Sequence, residues 1–298
     1  MKKLAAVFAG VLLLSAFYAC HKDKLGEYNP KAKIEKIYDE SDGRYMREQW
    51  LWDDIMLKRI DYYRKSGNLD YSQNYQYDGK RLSRIEMGEQ YSEFLYDGDK
   101  LTSINTYDGN RKVETYTFTY EKKKVTHISI VKDLVSKNFV QGVPLNFFLP
   151  ANDEVQETIN ANNDSKRVDY DFSKAEIDFI WEGDNVQYMK MQLTRPDNIQ
   201  KLTFTYVYDQ GVNPFNGLFI LFPEQQMLND NPSYLFSSKN NVVSVFVTEE
   251  HDVNSDSNSF TYGYEYYKKN PTKVYKTFID NKTGETDSTL LYSYQYLY

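Results

Sequence analysis

Aromatic and polar residues alternate along this chain with a period of two. In residues 114–120, Tyr116, Phe118 and Tyr120 alternate with Thr115, Thr117 and Thr119, which puts the rings on one face of a strand and the hydroxyls on the other. Residues 290–298 repeat the habit, with Leu290, Tyr292, Tyr294, Tyr296 and Tyr298 in phase. Beyond the N-terminal segment no stretch approaches the roughly 18 apolar residues of a helical membrane span. The pattern predicts an all-β, antiparallel protein.

Within that pattern a unit recurs. Residues 51–60, 76–85, 95–104, 119–128 and 180–189 align: an aromatic (Trp52, Tyr77, Tyr96, Tyr120, Trp181) is followed by an acid, then an aliphatic five residues on, then Ile or Met eight residues on. We read each unit as a hairpin in which a strand ends at the aromatic, Asp-Gly or its equivalent makes the turn, and the next strand starts near the second aliphatic. The two aliphatics have opposite parity, so a regular strand cannot bury both and each unit needs a bulge or an irregular turn exit. Bends repeated in one direction curl an up-and-down meander into a strongly curved sheet or a closed barrel.

The first four aromatics are 25, 19 and 24 residues apart, and 61 residues then separate Tyr120 from Trp181. That gap holds the proline-bounded segment 142–150 and the turn cluster 160–165, and we read it as one long inter-strand loop. Degenerate copies follow at Tyr208-Asp209, ahead of Asn213-Pro214-Phe215, and at residues 264–267, ahead of Asn270-Pro271; residues 219–228 read as a short helix interrupted by Pro223. Segments 131–166 and 211–240 are the expected non-repeat structure and the expected binding surface, because loops carry function on regular scaffolds.

The N-terminus reads as a processing signal. Lys2 and Lys3 precede an uncharged run from Leu4 to Tyr18, too short for a span, which ends at Ala19-Cys20 before a polar stretch. The lone Cys after Ala19 resembles the lipidation site of a bacterial lipoprotein, with Phe17 where Leu is usual. The expected organisation is a signal peptide at 1–19, a lipidated tether at 20–33 and a single β-repeat domain at 34–298. Acyl chains on Cys20 would hold the protein to the membrane.

The Tyr-Asp-Gly units, Asn213-Pro214-Phe215 and Asn240-Asn241-Val242-Val243, in this order after the leader, resemble uncharacterised Tyr-Asp-repeat lipoproteins of Bacteroidetes-type bacteria. That resemblance covers most of the mature chain and implies an antiparallel, porin-like β fold with no assigned activity. A looser likeness, to the Tyr-Asp repeats of large bacterial shell-forming toxins and adhesins, concerns repeat geometry only. The resemblance and the leader together imply a bacterial cell envelope location, lipid-anchored at the outer membrane, with the facing side undetermined.

Composition narrows the chemistry. Of 298 residues, 36 are basic and 43 acidic, a formal charge of −7, or −9 once Lys2 and Lys3 leave with the signal peptide. So acidic a chain repels phosphate backbones and is no nucleic-acid binder. With 3 His and a single Cys, disulfide frameworks, Cys zinc sites and thiol catalysis are excluded. Neither His127 nor His251 lies in a nucleophile motif, residues 252–263 lack the Gly and Glu of a calcium loop, and no phosphate or dinucleotide motif occurs. No cofactor or metal is expected.

The candidates that remain are few. Trp50, Trp52 and Trp181 would stack on sugar rings if exposed, while a core role suits the repeat aromatics Trp52 and Trp181. Asp287-Ser288-Thr289 resembles a bacterial O-glycosylation sequon, making Ser288 a candidate glycan site against the simpler reading of a polar turn. The leading expectation is a non-enzymatic, lipid-anchored envelope protein that binds a glycan, peptide or protein partner through loops. The alternatives are an outer-membrane pore-forming barrel, for which the terminal aromatic strand argues, and a carboxylate-dependent glycoside hydrolase.

Overall fold

A computed structural model describes residues 25–41, 43–133, 151–152, 172–196, 198–218, 230–231, 238–250, 255–279 and 286–297. The leader, Cys20, His251, the first three residues (252–254) of the calcium-like segment 252–263, the expected helix at 219–228 and most of the 131–166 loop lie outside the described residues. Among the described residues no helix is long and apolar enough to cross a membrane, which says nothing about a barrel.

The strands are β1 (Lys33–Asp39), β2 (Tyr45–Asp53), β3 (Met56–Tyr63), β4 (Leu69–Asp78), β5 (Arg81–Met87), β6 (Gln90–Asp97), β7 (Lys100–Asp108), β8 (Arg111–Glu121), β9 (Lys124–Lys132), β10 (Ala151–Asn152), β11 (Lys174–Glu182), β12 (Asn185–Thr194), β13 (Ile199–Val212), β14 (Asp230–Asn231), β15 (Asn240–Glu250), β16 (Ser255–Tyr267), β17 (Asn270–Ile279) and β18 (Thr286–Leu297). Sixteen of them form a closed antiparallel barrel in sequence order, sealed by β1 against β18; β10 and β14 pair only with each other. β9 pairs directly with β11, so the 61-residue jump in the repeat is an insertion between neighbouring strands.

Period-two patterning gives the barrel two unlike walls. Across β8, β9, β11, β12 and β13 one registered row reads Phe118, Ile128, Ile177, Met191, Leu202, and every member is buried. The adjacent row on the other face, carried on to β15, reads Thr119, His127, Asp178, Lys190, Thr203, Thr248. Apolar side chains therefore fill the interior and polar ones meet the surroundings. Fully burying one Ile or Phe contributes about 1.5–3 kcal/mol, which makes the inner wall the source of stability.

The expected bulges are present. In all five repeats the ladder shifts register at the aromatic, between Leu51 and Trp52, Gln76 and Tyr77, Leu95 and Tyr96, Thr119 and Tyr120, and Ile180 and Trp181. The degenerate copies shift too, between Val207 and Tyr208 and between Glu265 and Tyr266. One expectation needs correcting: the second strand of each hairpin begins before the first aliphatic, not near the second. The turn occupies only two residues, whose first member has positive φ at Asp54, Gly79, Gly98, Lys122 and Gly183, so pairing resumes at once.

Candidate functional site

β2, β4, β6, β8, β11, β13, β16 and β18 all end at one mouth of the barrel, here the aromatic end. Neighbouring hairpins splay apart there, and their ladders stop two or three residues short of the aromatic; β3 and β4, for example, pair only as far as Arg59 with Asn74. The aromatic side chain closes the gap. Trp52 donates through Nε1 to the Ile34 carbonyl at 2.7 Å, Tyr77 through its hydroxyl to Leu57 at 2.8 Å, Tyr96 to Leu82 at 2.7 Å and Tyr120 to Leu101 at 2.8 Å. Trp181 reaches Val125 at 2.7 Å, Tyr208 reaches Val186 at 2.5 Å, Tyr264 reaches Val242 at 2.7 Å and Tyr296 reaches Pro271 at 2.8 Å. These bonds run round the whole mouth, one per hairpin junction, and satisfy carbonyls that the splay would orphan. Burial pushes the phenols of Tyr77, Tyr96, Tyr120 and Tyr208 above their ordinary range, so they stay donors.

The chain's own segments cross this mouth. Gly26, at φ +90°, accepts from the Leu82 N–H at 2.9 Å, and a Cβ there would overlap the Tyr96 phenol. Tyr28 packs against Trp50 and Trp52 and donates to the Pro214 carbonyl at 2.7 Å. From the other side, Asn213 caps its own turn by accepting from the Phe215 N–H, and Phe215 inserts between Trp50 and Tyr294. Asn240 and Asn241 tie the base of this turn to Gly211, Val212 and Asn185. The Asn-Pro-Phe and Asn-Asn motifs are therefore parts of a plug. The described portion of 211–240, expected as binding surface, is largely interior because Pro214, Phe215 and Leu218 bury against the barrel core.

Toward the opposite end the inner wall turns polar. A bulge places Arg47 beside Glu48 on the inner face, where Arg47 donates to the Tyr292 hydroxyl at 2.7 Å and lies 3.6 Å from the Asp39 carboxylate. Glu48 accepts from Trp50 Nε1 at 2.8 Å. Glu114 faces Lys132 at 3.8 Å and accepts from the Tyr116 hydroxyl, while the Lys132 ammonium stands 3.8 Å above the Phe172 ring. Gln73, Ser92, Thr106, Gln200 and Lys276 are buried in the same wall. Burial, with Glu114 alongside, raises the Tyr116 phenol well above its ordinary value. Taking such charges out of water costs several kcal/mol per ion before pairing returns part of it, so this band is weakly explained by stability and marks the candidate site.

The tryptophans expected as stacking residues are placed differently from one another. Trp50 is 2% exposed, between Tyr28 and Phe215; Trp52 and Trp181 are half-buried members of the mouth ring. Ser288 is exposed in β18, a strand rather than a turn, beside Thr277. On the outer wall His127 stands between Asp178 and Glu176, 2.8 Å from each. Among the described residues no group of three or more His, Cys, Asp and Glu is arranged to hold a metal ion.

The sequence reading missed Arg47, Glu48, Glu114 and Lys132. For Glu114 a signal existed, since it shares parity with Tyr116 and Phe118. For Arg47 there was none, because its inward turn depends on a bulge.

No family model matches the chain, and no curated protein matches it. Among solved structures, a porin-like protein from Bacteroides vulgatus aligns with 90% of this chain and 99% of its own, at 10% identity and TM-score 0.50. A porin-like protein from Bacteroides uniformis aligns with 91% and 100%, at 12% identity and TM-score 0.46. What the chain shares with the Bacteroides vulgatus protein is the fold, a porin-like, all-β antiparallel barrel.

Proposed function

We propose that this barrel is a non-enzymatic cell-envelope protein, anchored at the outer membrane by lipid on Cys20, that binds a polar ligand or partner rather than conducting across the bilayer. One observation carries the reading: the walls are inverted relative to a spanning barrel. A spanning barrel presents an apolar band to lipid and a polar lumen, whereas here Asp178 and Lys190 sit mid-row outside and Ile177 and Met191 inside. A lysine facing the bilayer midplane costs about 2–4 kcal/mol. The plug formed by Tyr28, Pro214 and Phe215 across the aromatic mouth also opposes a through-channel.

Pore formation remains the second reading, supported by the closed sixteen-strand barrel and its porin-like structural neighbour. For ligand binding, the Arg47, Glu48, Glu114 and Lys132 band supplies charge and hydrogen-bonding groups among tyrosines, a combination suited to glycans or peptides with polar substituents. The test is a screen of the purified protein against envelope glycans, dietary polysaccharides, peptides and glycosidase substrates. Binding that Lys132→Met or Glu114→Gln weakens at least tenfold, without turnover, is the expected result. Turnover abolished by Glu114→Gln would replace this reading with the glycoside hydrolase one.

A further inference from the structure

The aromatic end is where the chain leaves the barrel toward Cys20, and it also carries most of the exposed apolar side chains. Leu25 and Gly26 lie at the β5–β6 splay through the bond between Gly26 and Leu82. Leu25 lies five positions after Cys20, a reach of at most about 18 Å fully extended. The far mouth is one strand length away, roughly 25–35 Å for the 11-residue β8 after tilt. A lipid on Cys20 thus cannot sit beside the far mouth.

At the aromatic end Leu51, Leu95, Ile180 and Val207 each precede a repeat aromatic, point outward and are 39–53% exposed. Tyr266 and Tyr267, also exposed, end β16. Each unit thus sends its aromatic inward to bond a carbonyl and, in these four, an aliphatic outward. The turns and strand ends there mix Lys80, Lys122, Lys123, Lys268 and Lys269 with Asp54, Asp78, Asp97, Glu121 and Asp184, so the rim has no dominant sign. Amphipathic aromatic and aliphatic groups close to a lipid attachment suit the headgroup–acyl boundary.

We propose that the aromatic end is a membrane-apposed docking surface: with Cys20 acylated, the barrel stands on the bilayer on its ring of repeat turns, with its outward aliphatics against the lipid interface and its far mouth held away. This rests on the lipid-anchor reading. Because rim charge is mixed, contact forms on zwitterionic lipid and survives salt.

The sequence offers its own probe, since Trp50, Trp52 and Trp181 all lie toward the aromatic end and Cys20 is the only cysteine. The chain starting at Cys20 is coupled through its thiol to a maleimide-headgroup phospholipid in phosphatidylcholine vesicles containing a dansyl-headgroup lipid. Energy transfer from tryptophan to dansyl is then read. The control carries Cys20→Ser and Asn110→Cys, tethering the opposite end at the β7–β8 turn. Transfer at least twofold above the control, unchanged in 0.5 M salt (about a 4 Å Debye length), is the expected result. Joint replacement of Leu51, Leu95, Ile180 and Val207 by Ser should lower transfer while the protein still floats with the vesicles.

Transfer no higher than the control overturns the orientation. Unchanged transfer in the quadruple variant overturns the docking role of the aliphatics. The anchor reading is checked separately by fatty-acid labelling of Cys20 in cells, where absence of label overturns it whatever the vesicle result.

Discussion

The two faces of β8, β9, β11, β12 and β13 run through the same ladder and differ in almost every chemical respect. Inside, Phe118, Ile128, Ile177, Met191 and Leu202 are buried; outside, Thr119, His127, Asp178, Lys190 and Thr203 form a polar, partly to fully exposed wall. The same backbone with its faces exchanged would resemble a bilayer-spanning barrel. Fold and solvent are therefore separable: the closed barrel is shared with a porin-like protein, while the parity of the side chains decides which medium each wall meets.

The largest effect that can break this comparison comes from the inner wall. Phe204→Ala should cost about 3–5 kcal/mol by leaving a cavity, whereas Lys190→Leu on the outer wall should stay within about 0.5 kcal/mol. Urea midpoints of the two variants in detergent-free buffer measure the contrast. Equal costs would mean that the walls are not divided as described.

Next in size is the mouth ring. Tyr120→Phe or Tyr77→Phe keeps the ring packing and removes one donor, which should cost about 1–2 kcal/mol per site because a half-buried carbonyl is left unpaired. Tyr77 on β4 and Tyr120 on β8 are four strand spacings apart, roughly 20 Å, so the double variant should be additive to about 0.5 kcal/mol. Tyr188→Phe, whose phenol belongs to the outer wall, should cost far less in the same denaturation assay.

The comparison of walls also shows how far the sequence could be read. Aromatic-acid pairs, hairpin turns and bulges were legible because they are local: offsets of five and eight residues in one strand conflict in parity whatever the rest of the chain does. The choice of Trp or Tyr, never Phe, at positions 52, 77, 96, 120 and 181 held the ring in plain view, since only these rings carry an N–H or O–H. Closure of β1 on β18 and the plug at Tyr28 and Phe215 were not legible, because they join residues nearly 200 or more positions apart. The interior charges were half legible, visible in Glu114 through parity and hidden in Arg47 behind a bulge.

A smaller effect separates the plug from the ring. Gly26→Ala places a methyl group against the Tyr96 phenol at positive φ and should cost about 1 kcal/mol. It should also shift tryptophan emission to the red as Tyr28 loosens from Trp50 and Trp52. Unchanged emission and stability would remove Gly26 from the account of the mouth.

The smallest effect belongs to the outer wall. At Glu176 burial raises the carboxyl pKa, but bonds from Lys174, Ser129 and His127 outweigh it, and the net shift is downward. A lowered folded pKa adds stability above the ordinary value of 4.5 that is lost as pH falls through the folded value. Wild type should therefore lose more stability between about pH 5 and pH 3 than Glu176→Gln does. Identical pH profiles would show that this surface cluster contributes nothing.

The most direct test of the central claim, that the polar wall faces water, is sedimentation velocity on the chain starting at His21 in buffer without detergent, paired with planar-bilayer recording of the same sample. The account predicts a single discrete folded species and no conductance. A protein that aggregates without detergent, folds when detergent is added and opens ion-conducting steps in the bilayer would contradict it and make the barrel a pore.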